Sequence, residues 1–202
     1  MNQTRQKLKS FRREIASLVR SIDLGQVRLY SDIIRRAAQS DGVVYVFGNG
    51  GSAALAMHLV ADMGQISQTV MGPRTIRVSS LCAEVGALTA LANDYRYTEV
   101  FSRQLRVLLR KGDVVLGVST SGQSSNILNA ISEAKTHGAI CLGLVGARGK
   151  KMASMCDYCV TTDSTSPKII ETVQLAFTQL LVEDIFQNVE GTLRFTKRLK
   201  KN

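Results

Sequence analysis

Gly112-Asp113-Val114-Val115-Leu116-Gly117-Val118-Ser119-Thr120-Ser121-Gly122-Gln123-Ser124 is the stretch from which the fold can be read. Its aliphatic run shows no polar alternation, so it predicts a strand buried on both faces, and it empties at once into hydroxyls grouped around a glycine. Four more runs of the same kind, at 43–47, 75–79, 140–144 and 159–162, predict four more such strands. Helical stretches separate them at 52–63, 85–91, 99–109, 124–137 and 150–155, and a last long helix follows Pro167. Strands alternating with helices imply right-handed crossovers, hence a parallel sheet covered on both faces: an α/β, three-layer α-β-α sandwich. Upstream, Phe11, Ile15, Leu18 and Val19, then Val27, Leu29, Ile33 and Ile34, lie at helical spacing, which predicts two helices broken near residues 23–25.

In such a sheet ligands bind outside the carboxyl ends of the strands. Two loops stand there: Gly48-Asn49-Gly50-Gly51-Ser52 after the first run, and Ser119 to Ser124 after the third. In the second, Ser119, Thr120, Ser121 and Ser124 supply neutral donors, Gly122 lets the backbone approach, and a helix begins at once with its positive end forward. That combination suits a phosphate monoester. A triphosphate-binding G-x-x-x-x-G-K-[ST] loop is absent. In the first loop Gly50 and Gly51 allow close passage of backbone to a ligand, with Asn49 and Ser52 as polar contacts.

At 202 residues, 45% hydrophobic and 21% charged, the chain has the length and composition of one domain that needs no staples. No window reaches the about 18 apolar residues of a membrane span, and the basic N-terminus lacks the apolar run of a secretory signal, so a cytoplasmic location is expected. Cys82, Cys141, Cys156 and Cys159 then read as reduced, buried thiols. Cys156 and Cys159 form a C-x-x-C, but no second pair accompanies it as zinc would need, and it leads into Val160-Thr161-Thr162 rather than opening a helix. Met57, Met63, Met152 and Met155 read as packing, and His137 as a helix-end residue. The net charge of +10 favours acidic partners, though Arg194, Lys197, Arg198, Lys200 and Lys201 crowd the C-terminus as a solvated tail. With Phe195 the single aromatic residue among them, nucleic acid is not the expected partner. The divisions expected are a helical arm at 1–40, the sheet domain at 41–193 and the tail at 194–202.

GNGGS followed by Ala56-Met57-His58, the segment Ala92-Asn93-Asp94-Tyr95, the run Phe101 to Gln104, and Gly112 to Gly122 closely resemble the phosphoheptose isomerase branch of the sugar isomerase (SIS) domain family, over nearly the whole chain. The resemblance implies a flavodoxin-like five-stranded parallel sheet, an N-terminal arm used in assembly, a homotetramer with sites near subunit boundaries, and interconversion of sedoheptulose 7-phosphate with a heptose 7-phosphate in bacterial heptose synthesis. It assigns phosphate to Ser52, Ser119, Thr120, Ser121 and Ser124, and the sugar to Asn49 and Asp94.

The catalytic positions depart from the family. Its helix after GNGGS carries a His and, four residues on, a basic Glu; here those places hold His58 and Asp62, on one helix face but with a shorter carboxylate. Its last helix carries a Gln and two histidines, where this chain has Glu171, Gln174 and Gln179. An amide at 179 cannot exchange a proton near neutral pH as an imidazole does. Two readings follow. In the first the chain is an aldose-ketose isomerase using Asp62 and Glu171, with Gln179 beside them, and His58, Asp62 and Glu171 hold one divalent metal such as the family's zinc. In the second it is a non-catalytic SIS sensor or assembly protein, like the family's tetrameric regulator of replication initiation.

Overall fold

The computed structural model describes residues 2–70 and 76–199, with side chains for residues 3–65 and 76–188. Strands β1 (Val43–Gly48), β2 (Arg77–Ser80), β3 (Val114–Ser119), β4 (Ile140–Gly146) and β5 (Tyr158–Thr162) form one sheet in the order β2-β1-β3-β4-β5, parallel at every pairing. The helices are α1 (Asn2–Arg20), α2 (Leu24–Gln39), α3 (Gly51–Val70), α4 (Val85–Asp94), α5 (Val100–Leu108), α6 (Ser125–Thr136), α7 (Lys150–Ala153) and α8 (Pro167–Leu199), with a 3₁₀ turn at Tyr97–Glu99.

From the centre of the sheet the chain leaves in opposite directions, through α3 from β1 to β2 and through α6 from β3 to β4. Right-handed crossovers therefore put α3 and α6 on opposite faces. Helices α2 and α8 join α3, and α5 packs beside α6, which completes the three layers. Strand β3 is buried along its whole length, which is why it carries no polar alternation. Asp113, 3% exposed, pins its start: one carboxylate oxygen accepts the Val43 N–H at 2.8 Å and the other the Arg110 N–H at 2.7 Å. Across the middle of the sheet Phe47, Gly117, Gly143 and Cys159 stand in register, and the hollow left by the two glycines is filled by Met152, Phe47 and the sulfurs of Cys156 and Cys159.

The expected break near Asp23 is present, with the Asp23 side chain accepting the Gly25 N–H at 2.8 Å to cap α2. Helix α2 is built into the core through Val27, Tyr30, Ile33, Ile34 and Ala37, and the Tyr30 hydroxyl donates to the carbonyls of Gly143 (2.9 Å) and Tyr158 (3.1 Å). Helix α1 lies against α8 with Phe11, Ile15, Leu18 and Val19 only half-buried, and the Ser164 hydroxyl bonds Glu14 Oε1 at 2.9 Å.

Several expectations change. Gly64 does not end α3, which runs on to Val70; one glycine inside a helix costs only about 1 kcal/mol. Thr75, expected to open the second strand, lies outside the described residues, and β2 begins at Arg77. The backbone of α8 continues through the basic positions 194–199, while Lys200 and Lys201 lie outside the described residues. Of the methionines expected in core or subunit packing, Met63 and Met152 are buried in the core and Met57 is exposed on this chain. Cys82 and Cys141 are buried as expected, but Cys156 and Cys159 are only half-buried. His137 does close α6, its Nδ1 3.0 Å from the Glu133 carbonyl oxygen. No helix among the described residues is long and apolar enough to cross a membrane.

Candidate active site

The strand order reverses between β1 and β3, where the sheet grows outward on either side, and this is where a doubly wound sheet opens a crevice at its carboxyl edge. Gly48 and Val118 are register partners there, so both loops singled out in the sequence leave the sheet side by side.

The Ser119–Ser124 loop is folded by its own hydroxyls. Ser119 Oγ accepts the Gly122 N–H at 3.0 Å and Ser121 Oγ accepts the Gln123 N–H at 3.2 Å. Gly122 has φ +60°, and a Cβ there would run into the backbone of Gly149, so position 122 admits glycine alone. Ser124 is the N-cap of α6, yet its side chain makes no cap hydrogen bond. The loop thus holds a ring of hydroxyls at the positive end of a 12-residue helix, a cradle for an anion. Ser52, 3% exposed, lies beside it at the start of α3.

Asn49 binds the two loops together. Its Nδ2 donates to Asn126 Oδ1 at 3.0 Å, Asn126 Nδ2 donates back to Asn49 Oδ1 at 2.8 Å, and the Tyr97 hydroxyl donates to the same oxygen at 2.9 Å. Asn126 is 3% exposed. Neither Asn126 nor Tyr97 stood out in the sequence; the available signal was a polar residue on the inward face of α6, one turn from the loop. Asp94 is exposed at the end of α4 and accepts from Asn93 at 3.0 Å, so from this segment it is Tyr97 whose contact with Asn49 the structure displays. Asn126→Ala would leave the Asn49 amide half-satisfied and should lower stability by about 1–3 kcal/mol, read from urea denaturation.

Beyond Gly51 the loop opens into a cleft of about 420 Å³ between α3 and α8, lined by Gly51, Ala54, Leu55, His58, Lys168, Glu171, Thr172 and Leu175. Glu171 reaches across from α8 to lie against Gly51, where a Cβ would overlap its carboxylate. The carboxylate therefore sits at the N-terminal, electropositive end of α3. His58 Nε2 is 3.2 Å from Asp62 Oδ2, and Gln179 Nε2 donates to that same oxygen at 2.6 Å. Asp62 is thereby committed to orienting its neighbours, and the imidazole keeps its Nδ1 uncommitted to that contact. Lys168, which sequence reasoning passed over, brings an ammonium to the same cleft.

Gln174 falls outside this cleft. It is 2% exposed, neither atom of its amide has a protein partner, and it lines a separate cavity of about 310 Å³ with Phe177, Thr161 and Asp163. Glu171 and His58 share the cleft, but Glu171 does not join His58 and Asp62 in a ligand set: among the described residues no three His, Cys, Asp or Glu side chains converge as metal ligands. The arrangement does not fit the divalent ion expected from the sequence. What it can do chemically is hold an anion at one end and present a carboxylate, an oriented imidazole and an ammonium at the other.

The SIS domain family model matches residues 10–146. The phosphoheptose isomerase of Aneurinibacillus thermoaerophilus is 37% identical over 169 residues, 80% of this chain and 84% of that protein. The phosphoheptose isomerase of Burkholderia pseudomallei strain 1710b is 40% identical over 149 residues, 73% of this chain and 75% of its own. Among solved structures, the phosphoheptose isomerase of Neisseria gonorrhoeae superposes with a TM-score of 0.81 at 27% identity, covering 91% of this chain and 97% of that one. The sugar isomerase domain of an RpiR transcription factor from Sphaerobacter thermophilus, at 17% identity and a TM-score of 0.66, shares the fold.

Proposed function

The chain belongs to the SIS domain family, and from that premise we propose that it is a sugar-phosphate isomerase, moving a carbonyl between C1 and C2 of sedoheptulose 7-phosphate or a similar phosphosugar. The observation that carries the reading is the cleft lined by Glu171, His58 and Lys168, which begins at Gly51 in the loop that leaves the sheet alongside the hydroxyl cradle. A ligand anchored by phosphate at Ser52, Ser119, Thr120, Ser121 and Ser124, with Asn49, Gly50, Gly51 and Asp94 along the sugar, would extend its carbonyl end toward α8.

Glu171 is the base in this scheme. It takes the proton from C2 of the aldose, or from C1 of the ketose, and returns it to the adjacent carbon. His58, oriented by Asp62 and Gln179, moves the second proton between O1 and O2. Lys168 stabilises the negative enediolate that stands between the two transfers. The imidazole missing from α8 is thus supplied from α3, and this weakens the sensor reading that its loss had suggested. Assembly with further copies, as a cytoplasmic homotetramer, belongs to the same proposal; its support is α4, an apolar helix with no buried residue, and the largely exposed α1.

The test is a one-dimensional NMR time course with sedoheptulose 7-phosphate. Conversion to the heptose phosphate is expected, and binding without conversion across several sugar phosphates would sink the enzyme reading. Ser121→Ala should weaken binding by about 1–3 kcal/mol, the range for hydrogen bonds to a charged group. Unchanged affinity by calorimetry would remove Ser121 from the cradle.

A further inference from the structure

Gly143 stands in the middle of β4, in register with Cys159 on β5. A Cβ built on Gly143 would lie 2.8 Å from the sulfur of Cys156 and 2.8 Å from the sulfur of Cys159. The two sulfurs therefore occupy one hollow, the space of the side chain that Gly143 lacks. Strand β5 is the outer strand of the sheet, and both cysteines are half-buried, so a small solute can reach them from that edge.

We propose that Cys156 and Cys159 are an oxidisable dithiol that reduces peroxides, with Cys159 as the attacking sulfur and Cys156 as the resolving one. In the first step the Cys159 thiolate attacks one oxygen of hydrogen peroxide. A sulfur–oxygen bond forms, the oxygen–oxygen bond breaks, and the departing hydroxide leaves as water on taking up a proton. In the second step the Cys156 sulfur attacks the sulfenic sulfur of Cys159. A sulfur–sulfur bond forms, the sulfur–oxygen bond breaks, and the second oxygen leaves as water with the Cys156 proton. Two thiols are oxidised and one peroxide is reduced to two waters.

The roles follow from the closeness of the two thiols in that hollow. Its neighbour Cys156 holds the Cys159 thiol below its ordinary range, whereas Cys159 and then burial push Cys156 up. The thiolate is the nucleophilic form, so the first attack falls to Cys159. The other two thiols serve as controls inside the same chain. Cys141 is buried and pushed up to about 12 by desolvation, with the Asp157 carboxylate adding to the shift; Cys82 is buried and raised, again by desolvation first.

The test treats the whole reduced protein with hydrogen peroxide and follows it by intact mass and peptide mapping after thiol alkylation. The expected result is a loss of two hydrogens per chain, a Cys156–Cys159 disulfide, and Cys82 and Cys141 still alkylated. With dimedone present, Cys156→Ser should accumulate a trapped sulfenic acid at Cys159, while Cys159→Ser should take no dimedone at Cys156. A wild-type chain that keeps all its thiols under conditions that oxidise free cysteine would overturn the proposal, as would dimedone on Cys156 in the Cys159→Ser chain. The wild-type reading requires no substitution, so a variant that fails to fold leaves the proposal open to refutation.

Discussion

Glu171→Gln should lower the turnover number about 100- to 10,000-fold, the contribution of a positioned general base, with sugar-phosphate affinity and melting temperature little changed. An amide has nearly the shape of the carboxylate and can still lie against Gly51, but it takes no proton. The substitution also installs the amide that the family resemblance sets at this position, which makes the result decisive. If the base were Asp62 on α3, Gln at 171 would be tolerated; if it is Glu171, activity collapses. Asp62→Asn should have the smaller effect, because Asp62 acts by holding His58 (3.2 Å) and Gln179 (2.6 Å) rather than by meeting the substrate. The reverse ranking of these two variants would return the base to α3.

Gly51→Ala should reduce turnover by about 100-fold, the loss expected when a reacting group is displaced by about 1 Å. The added methyl would occupy the place of the Glu171 carboxylate. What it meets is the far end of a flexible side chain, so the fold yields easily: Glu171 swings away and α3, which tolerates Ala well, remains intact. The expected signature is a fall in kcat with an unchanged circular dichroism spectrum and melting curve. A variant that unfolds instead would mean that Glu171 is held more firmly than a side chain free to act as a base can be.

The layered fold was legible because burial on both faces leaves a plain mark in composition. The aliphatic runs at 43–47, 114–118 and 140–144 each lie within an observed strand. The hydroxyl loop was legible for a similar reason, since all its donors lie within six consecutive residues and one helix start orients them. What could not be read were pairs that only the folded chain brings together. Asn49 and Asn126 are 77 positions apart; Gln179 and Asp62, 117 apart, were set together by the family resemblance alone. Amides at such separations carry no periodicity that links them. Glu171 was found by its position in a family pattern, but its seat against Gly51 depends on how closely α8 approaches α3, and neither helix alone encodes that distance. Gln174, three residues further on, lies about 60° around the helix from Glu171, on the flank away from Thr172 and Leu175, and that rotation carries it out of the cleft into the cavity it shares with Val173 and Phe177.

The reciprocal amide contact between Asn49 and Asn126 fastens the anchoring loops to each other, while the groups assigned to chemistry hang from α3 and α8. The two parts can therefore drift separately as such chains diverge. Changes along the inner faces of those helices exchange one proton carrier for another without loosening the grip on the phosphate, and a lineage can lose an imidazole from one helix while it still holds its substrate. The phosphate then serves as a handle that outlasts any one set of catalytic groups, and new chemistry can be tried at the far end of a ligand that is already bound.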